Sequence, residues 1–297
     1  MPKVTISHPD KVIYPADNIT KEQIAAYYQL VSKLMLPLIA DRPLTLQRFP
    51  HGIAGDVHFF QKNVPDYFPD WIERLTVANK SDTGSTRYVI CNNISTLLYL
   101  VNEGCLTFHA WLSKKNNLDY PDRLIIDLDP GSTRFSQVKQ VAQDLRILLE
   151  QVELTPFIMT TGSQGLHIVV PLDAQADFAT TRAFIQQLLR HYQEQHSRIT
   201  TMEMHIEKRA GKIFLDSLRN AFGQTGVAPY SLRPYPGAPI ATPLHWEELD
   251  DPALISQRYT LTTIAVRLRT VENPWRNINR YKGSIVRAAK LLASGIA

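Results

Sequence analysis

Apolar and polar positions along this chain repeat with two different periods, and the switch between them marks its elements. Ile24, Tyr27, Tyr28, Val31, Leu34 and Leu38 recur at helical spacing, the stripe of a helix with one face buried. Thr20 followed three residues later by Gln23 is a capping-box pattern, so this helix is predicted to open at Thr20 and run to about Ile39. Leu44 to Phe49 alternates as a strand, and His58 to Lys62 reads as its hairpin partner across Gly52 and Gly55. Next come a short helix over Pro65–Trp71, a polar hairpin loop over Lys80–Ser85, a helix over Ile94–Val101 ending at Gly104, and a strand over Leu106–Trp111. Arg123-Leu124-Ile125-Ile126 opens an apolar run that reads as a buried strand, ended by Pro130-Gly131. A helix near 135–151, strands at 156–160 and 166–172, and an amphipathic helix over 177–196 follow. The segment from Met202 to Asp216 is expected to be a hairpin around Ala210-Gly211, with short helices and a basic terminal helix after Leu249. Strands and helices mix throughout and several strands are joined by hairpins, which favours an α+β fold over a doubly wound parallel sheet.

Composition narrows the partners. The chain has 297 residues, 44% hydrophobic and 20% charged, with a net charge of +4, which suits a globular protein and permits an anionic ligand without requiring one. Positive charge gathers late: Arg267, Arg269, Arg276, Arg280, Lys282, Arg287 and Lys290 face only Glu272. A solvated helix or a flank turned to nucleic acid would both account for it. Cys91 and Cys105 lack zinc-ligand or disulfide-framework spacing, as expected in a reducing cytosol. The first residues lack a signal-peptide core and no apolar run reaches membrane-spanning length, so a cytoplasmic protein without a membrane partner is expected. With neither repeats nor a low-complexity linker, residues 1–297 are expected to form one domain, with approximate lobes at 1–105, 106–250 and 251–297.

The candidate chemistry centres on Asp127 and Asp129. Residues two apart on a strand share a face, with Cα atoms roughly 7 Å apart. Two carboxylates so placed resist desolvation unless a cation lies between them. Paired divalent ions about 4 Å apart are a standard solution for in-line displacement at phosphorus; a turn-capping Asp127 and a solvated Asp129 are the plainer alternative. Thr160 to His167 joins two strands through Gly162 and Gly165, a turn whose backbone N–H groups and Thr161 and Ser163 hydroxyls suit phosphate oxygens. Asp216 sits in an apolar strand, paired with Arg219 or bound to a metal. Arg233 follows as another cation, and His109 is either a core histidine or a ligand. Phe59 and Phe60 are adjacent on a strand, so at most one enters the core. An exposed one beside Arg48 and Lys62 would suit base stacking beside a phosphate track, against a second hydrophobic layer.

His109-Ala110-Trp111, Asp127-Leu128-Asp129-Pro130, Thr161-Gly162-Ser163-Gln164-Gly165-Leu166-His167 and Phe214-Leu215-Asp216-Ser217-Leu218-Arg219-Asn220 occur in this order. The chain resembles the polymerase domain of bacterial ligase D, within the archaeo-eukaryotic primase superfamily, from Ser7-His8-Pro9-Asp10-Lys11 to Pro243-Leu244-His245-Trp246. That resemblance implies a primase-type fold, with a catalytic lobe like an RNA-recognition-motif sheet packed on an N-terminal α/β lobe. It implies a templated polymerase, preferring ribonucleotides, that extends 3′ ends at gaps and breaks during non-homologous end joining. Two manganese or magnesium ions would serve as cofactors, with nucleoside triphosphates as substrate. Asp127, Asp129 and Asp216 fall at the family's metal triad; His109, Thr161, Ser163, Gln164 and His167 fall where it binds the nucleotide, and Arg219 and Arg233 where it neutralises triphosphate. Lys11 and Lys21 match the pair that recognises a 5′ phosphate, Phe59 and Phe60 the aromatics that stack on template, and Arg209 a hairpin-loop residue that handles the primer end. Thr161 is the first candidate for a contact to the ribose 2′ hydroxyl. Ku and a DNA ligase are the partners implied.

Two positions depart from the family pattern. Gln164 and Gln47 stand where lysines are common, and an amide offers phosphate only a neutral donor. Two alternatives to the polymerase stay open: a metal-dependent nuclease on the same carboxylates, and a non-catalytic module that bridges DNA ends.

Overall fold

The computed structural model describes residues 2–80 and 83–295. In chain order its elements begin with β1 (Val12–Tyr14), β2 (Ile19–Thr20), α1 (Lys21–Ile39), β3 (Pro43–Arg48), β4 (Phe59–Gln61), β5 (Arg74–Ala78), β6 (Ser85–Ile90), α2 (Ile94–Asn102) and β7 (Cys105–Trp111). They continue with β8 (Arg123–Asp129), α3 (Phe135–Gln151), β9 (Phe157–Thr160), β10 (Leu166–Pro171), α4 (Phe178–Gln195), β11 (Thr200–Thr201) and β12 (Ile213–Asp216). The last are β13 (Thr225–Val227), β14 (Pro243–Leu244), α5 (Ile264–Thr270) and α6 (Ile285–Ala293).

Two compact units emerge, and the chain crosses between them more than once. The first comprises Met1–Asn116, Thr225–Ala241 and Tyr259–Thr270; the second comprises Asn117–Gln224, Thr242–Arg258 and Val271–Ala297. Their boundaries fall elsewhere than residues 105 and 250. Each unit holds its own sheet.

In the first unit the sheet runs β13-β7-β3-β6-β5, with β4 also paired to β3. Its core gathers Tyr28, Val31, Met35 and Ile39 of α1 with Leu44, Leu46, Leu97, Leu100, Leu106 and Phe108. Helix α1 starts as its sequence prescribes: the Thr20 hydroxyl accepts from the Gln23 N–H at 3.3 Å, and the Gln23 side chain accepts from the Thr20 N–H at 2.8 Å. Helix α2 is capped by Asn93, whose side chain accepts from the Thr96 N–H. Strand β4 pairs with β3 as expected, with Phe59 opposite Arg48 and Phe60 opposite Gln47.

In the second unit the order is β11-β12-β8-β10-β9-β14. Leu124, Ile126 and Leu128 of β8 and Ile168 and Val170 of β10 are fully buried. Residues two apart on a strand share a face, so Arg123, Ile125, Asp127 and Asp129 take the opposite one.

Three expectations fail locally. Pro65–Trp71 forms two successive turns, closed by Phe68 N–H to Pro65 O and Ile72 N–H to Pro69 O. Pro69 has no N–H to return to the Pro65 carbonyl, so a helical turn cannot close. Met202–Asp216 is not a hairpin: β11 pairs with β12 in parallel, Thr200 opposite Ile213. Ala210 and Gly211 do turn, with φ of +51° and +71°, but the turn docks on the loop after β8, where Ser132 N–H donates to Gly211 O at 3.2 Å. The late cluster of basic residues is not one helix; Arg267 and Arg269 lie on α5 and Arg287 and Lys290 on α6, in different units. The loop joining β5 to β6 includes Ser81 and Asp82, which lie outside the described residues.

Candidate active site

Strand β8 lies between β12 and β10, and its register brings the chemistry together. Asp216 pairs with Asp127 on one side, and His167 pairs with Asp127 on the other. Directly opposed residues of antiparallel strands project to the same face. Asp216, Asp127 and His167 therefore form a row across three strands, with Asp129 two residues along β8 on that face.

Burial would push the Asp127 carboxyl upward, but the His167 ring and the Arg219 guanidinium outweigh it and hold the group below the ordinary carboxylate range. His167 Nε2 lies 3.4 Å from Asp127 Oδ1, and Arg219 Nη2 lies 3.5 Å from Oδ2. Asp216 goes the other way: burial raises its pKa, and the Leu218 N–H that donates to its Oδ1 at 2.6 Å opposes this without reversing it, while neighbouring Asp127 adds to the rise. Arg219 is held in place by its neighbour. The buried Asn220 side chain accepts from the Ile125 N–H at 2.9 Å and donates to the Ile125 carbonyl at 2.6 Å, extending the ladder past the end of β12 and fixing the turn that carries Arg219.

Arg209 neutralises Asp129, with Nη1 3.2 Å from Oδ2. Its guanidinium lies 3.8 Å over the Phe214 ring and donates to the carbonyls of Glu203 and Met204, each at 3.0 Å. It is thus the clasp of the 202–212 loop as well as a counter-charge.

The glycine turn is shaped from within. The Thr161 hydroxyl accepts the Ser163 and Gly165 N–H groups at 3.3 and 3.2 Å, and Ser256 Oγ lies 3.2 Å from it. Thr161 is buried. Its hydroxyl fixes the turn from within. Gly165 lies against β8, and a Cβ there would collide with the Leu128 carbonyl, so only glycine lets the turn lie on the strand. Gly162 adopts φ +64°. Ser163 is partly exposed and Gln164 exposed at the tip, while His167 is buried and its Nδ1 has no hydrogen-bond partner among the described residues.

The remaining candidates belong to the first unit. His109, on β7, pairs with Thr45 and has the Phe60 ring edge-on at 5.5 Å. Phe59 and Phe60 are both exposed, at 39% and 58%, so neither joins a second hydrophobic layer. Lys62 is exposed, and Arg233 follows β13 in a loop where its N–H donates to Pro239 O. Gln47, opposite Phe60, is partly exposed. Lys11 and Lys21 line one cleft of about 160 Å³. Arg48 is buried, with Nη1 on Gln61 at 2.6 Å and Nη2 on Glu103 at 3.1 Å, under Phe59.

A divalent ion suits the chemistry of this face. Three carboxylates supply hard oxygen donors of the kind magnesium and manganese take, and Asp216 stands directly opposite Asp127 on the neighbouring strand. Among the described residues no three acidic, histidine or cysteine groups are gathered closely enough to ligate one ion; two of the carboxylates are turned to Arg209 and Arg219.

Carboxylates ranked along one face beside a glycine turn fit an enzyme that moves nucleotidyl groups, and comparison with known proteins agrees on the class: a primase-polymerase, a nucleotidyltransferase. Residues 20–275 match the profile of the LigD primase-polymerase domain, and the chain belongs to that family. It is 36% identical over 274 residues to the multifunctional non-homologous end joining DNA repair protein LigD of Mycobacterium tuberculosis, and 32% identical over 281 residues to the bifunctional non-homologous end joining protein LigD of Bacillus subtilis. The matches cover 89% and 94% of this chain but 36% and 44% of those proteins, so the chain spans less than half the length of the relatives it matches. Among solved structures it is similar to the polymerase domain of Mycobacterium tuberculosis ligase D in complex with DNA, with a TM-score of 0.87, 32% identity, and coverage of 95% of this chain and 99% of that one. The fold is thus the α+β fold of the archaeo-eukaryotic primases.

Sequence reading passed over three residues that organise these sites. Ser256 braces the glycine turn through Thr161 and through the Gly165 carbonyl at 2.8 Å, yet it sits in an irregular stretch with no periodic signal. Glu103 and Tyr67 hold Arg48. Glu103 did carry a signal: it is an acid at the C-cap of α2, the negative end of the helix dipole, where an anion needs a cation.

Proposed function

We propose that this chain is a template-directed polymerase that adds nucleotides, ribonucleotides by preference, to 3′ ends at gaps and double-strand breaks. The observation that carries the reading is the row Asp216–Asp127–His167 with Asp129 on the same sheet face. Asp127, Asp129 and Asp216 would hold two manganese or magnesium ions. Such ions, when bound, neutralise the transferring phosphoryl group and favour ionisation of the attacking hydroxyl. The protein's share is positioning and charge. Arg219 offers a cation at the edge of the carboxylates, partly exposed and able to turn toward a triphosphate. His167, its Nδ1 unpartnered, keeps Asp127 ionised and in place. Ser163 and Gln164 at the turn are assigned to the incoming nucleotide.

Phe59 and Phe60, exposed on a short strand, suit stacking on unpaired template bases, and Lys62 suits the backbone beside them. Lys11 and Lys21 suit a downstream 5′ phosphate in their cleft. The relatives' names support work in end joining; Ku and a DNA ligase as partners, in a bacterial cytosol close to the nucleoid, are what the resemblance adds to the proposal. Among the described residues no helix is long and apolar enough to cross a membrane.

The test is extension of a labelled primer across a short gap bearing a downstream 5′ phosphate, with manganese and either ribo- or deoxynucleotides. Templated addition favouring ribonucleotides supports the reading. Shortening of the primer would show a nuclease, and binding without chemistry would leave an end-bridging module.

A further inference from the structure

The cleft that holds Lys11 and Lys21 also holds an acid. His8, Phe49, Glu103 and Gly104 line it together with the two lysines. A carboxylate in a phosphate site is unfavourable twice over: it repels the ligand, and it competes for the ammonium groups the ligand needs.

The structure shows where that competition is resolved. Lys11 Nζ donates to the Pro50 carbonyl at 2.7 Å, and Lys21 Nζ to the Ser7 hydroxyl at 3.1 Å. Both partners are neutral, and an ammonium has three donors, so each lysine keeps further donors for an incoming anion. The Glu103 carboxylate pairs with Arg48 instead. Arg48 Nη2 donates to Glu103 Oε2 at 3.1 Å, and Arg48 Nε donates to the Glu103 backbone carbonyl at 2.8 Å. The Tyr67 hydroxyl donates to the same Oε2 at 3.1 Å and accepts from Arg48 Nη1 at 3.0 Å. Gln61 takes Nη1 as well. A guanidinium gripped on three sides in a fixed plane is a fork that lysine cannot imitate.

We propose that Arg48 is a positioning residue for the phosphate cleft: by holding the Glu103 carboxylate, it leaves Lys11 and Lys21 free to take a 5′ phosphate. Arg48 does so without touching the DNA. Without it, Glu103 would lose its ion pair at the negative end of α2, and the cations that share its cleft are Lys11 and Lys21. Burial, with Lys11 nearby, already holds the Lys21 pKa below its ordinary value against the opposing pull of Glu103, so Lys21 is the lysine with most to gain from a carboxylate. The same guanidinium lies 5.5 Å from the Phe59 ring, which makes β4 sensitive to the same pair.

This inference rests on the proposed reading of the cleft as a 5′-phosphate site, and the test separates the two. Two gapped duplexes, identical except for a 5′ phosphate or a 5′ hydroxyl at the downstream end, are titrated with the full chain, and the ratio of their Kd values is read. Wild type is expected to favour the phosphate. Arg48→Met is expected to lose about tenfold of that preference, the scale of a close charge contact. Glu103→Gln is expected to keep the preference or raise it, and the double variant to recover most of what Arg48→Met lost. A merely structural role for Arg48 would weaken binding of both duplexes alike and leave the ratio of their Kd values unchanged. Wild-type preference retained in Arg48→Met, or a double variant as poor as Arg48→Met, would overturn the inference. Should Arg48→Met not fold, Glu103→Gln decides alone, since a fall in preference there would overturn it too. A wild type indifferent to the phosphate would remove the cleft reading itself, and the inference with it.

Discussion

The carboxylate face of one sheet and the β4 edge of the other treat their side chains in opposite ways. On the second unit's sheet every carboxylate of the row is answered from within the chain: Asp127 by His167 and Arg219, Asp129 by Arg209, and Asp216 by the Leu218 N–H. On the first unit's sheet, Phe59, Phe60 and Lys62 are left exposed on or just after β4. On the proposed function, the difference follows from what each face would do. Groups that must meet a reacting phosphoryl centre have to be pre-set, because positions corrected during the reaction cost rate. Groups that grip a polymer of varying sequence gain from standing free, because stacking tolerates any base.

The largest expected effect breaks the first half of that contrast. Asp127→Asn or Asp129→Ala should lower nucleotide addition by about three orders of magnitude or more, the several kcal/mol that metal-assisted charge stabilisation supplies, while gapped-DNA affinity measured by anisotropy holds or improves. Chelation of divalent ions from wild type should match the loss. Next is Gly165→Ala, which forces a methyl group into the Leu128 carbonyl. Overpacking of this sort costs about 1–3 kcal/mol, to be read as a lower urea midpoint, with nucleotide addition falling alongside.

The second half is sharpened by Phe59→Ala and Phe60→Ala. Each should weaken DNA binding by about 1–3 kcal/mol per unstacked base and change stability by no more than about 0.5 kcal/mol, as for exposed sites generally. Phe108→Ala, fully buried in the same unit, should do the reverse and cost about 3–5 kcal/mol of stability. Smallest is Gln164→Lys. At an exposed position on the turn, a full charge should lower the nucleotide KM by about threefold, in line with the stronger bonds of ionised donors. An unchanged KM would show that Gln164 does not meet the triphosphate.

What could be read in advance follows from how local each feature is. Thr20 and Gln23 announce α1 because a cap is a four-residue event, and β8 is legible because its apolar run and Pro130 adjoin. Asp127 and Asp129 share a face by strand geometry alone. That Asp216 stands directly opposite Asp127 is set by the pairing of β12 with β8, a register between segments some 90 residues apart along the chain, which no local pattern encodes. For the same reason the parallel pairing of β11 with β12 was hidden behind the turn signal of Ala210-Gly211. The partners of Arg48 were not legible, because an arginine beside aromatics gives no sign of them. Glu103, Tyr67 and Gln61 come from three separate segments. Thr161 shows the converse: its hydroxyl was rightly placed in the glycine turn, but burial turns it inward to Gly165 and Ser256.

The central claim is that the Asp127, Asp129 and Asp216 face performs the chemistry. Its most direct test is single-turnover extension of a primer on a pre-bound gapped duplex with manganese, wild type beside Asp129→Ala, with complex formation confirmed in the same tube. Wild type should extend by templated nucleotides and Asp129→Ala should bind without extending. Extension by Asp129→Ala at a rate near that of wild type would contradict the account.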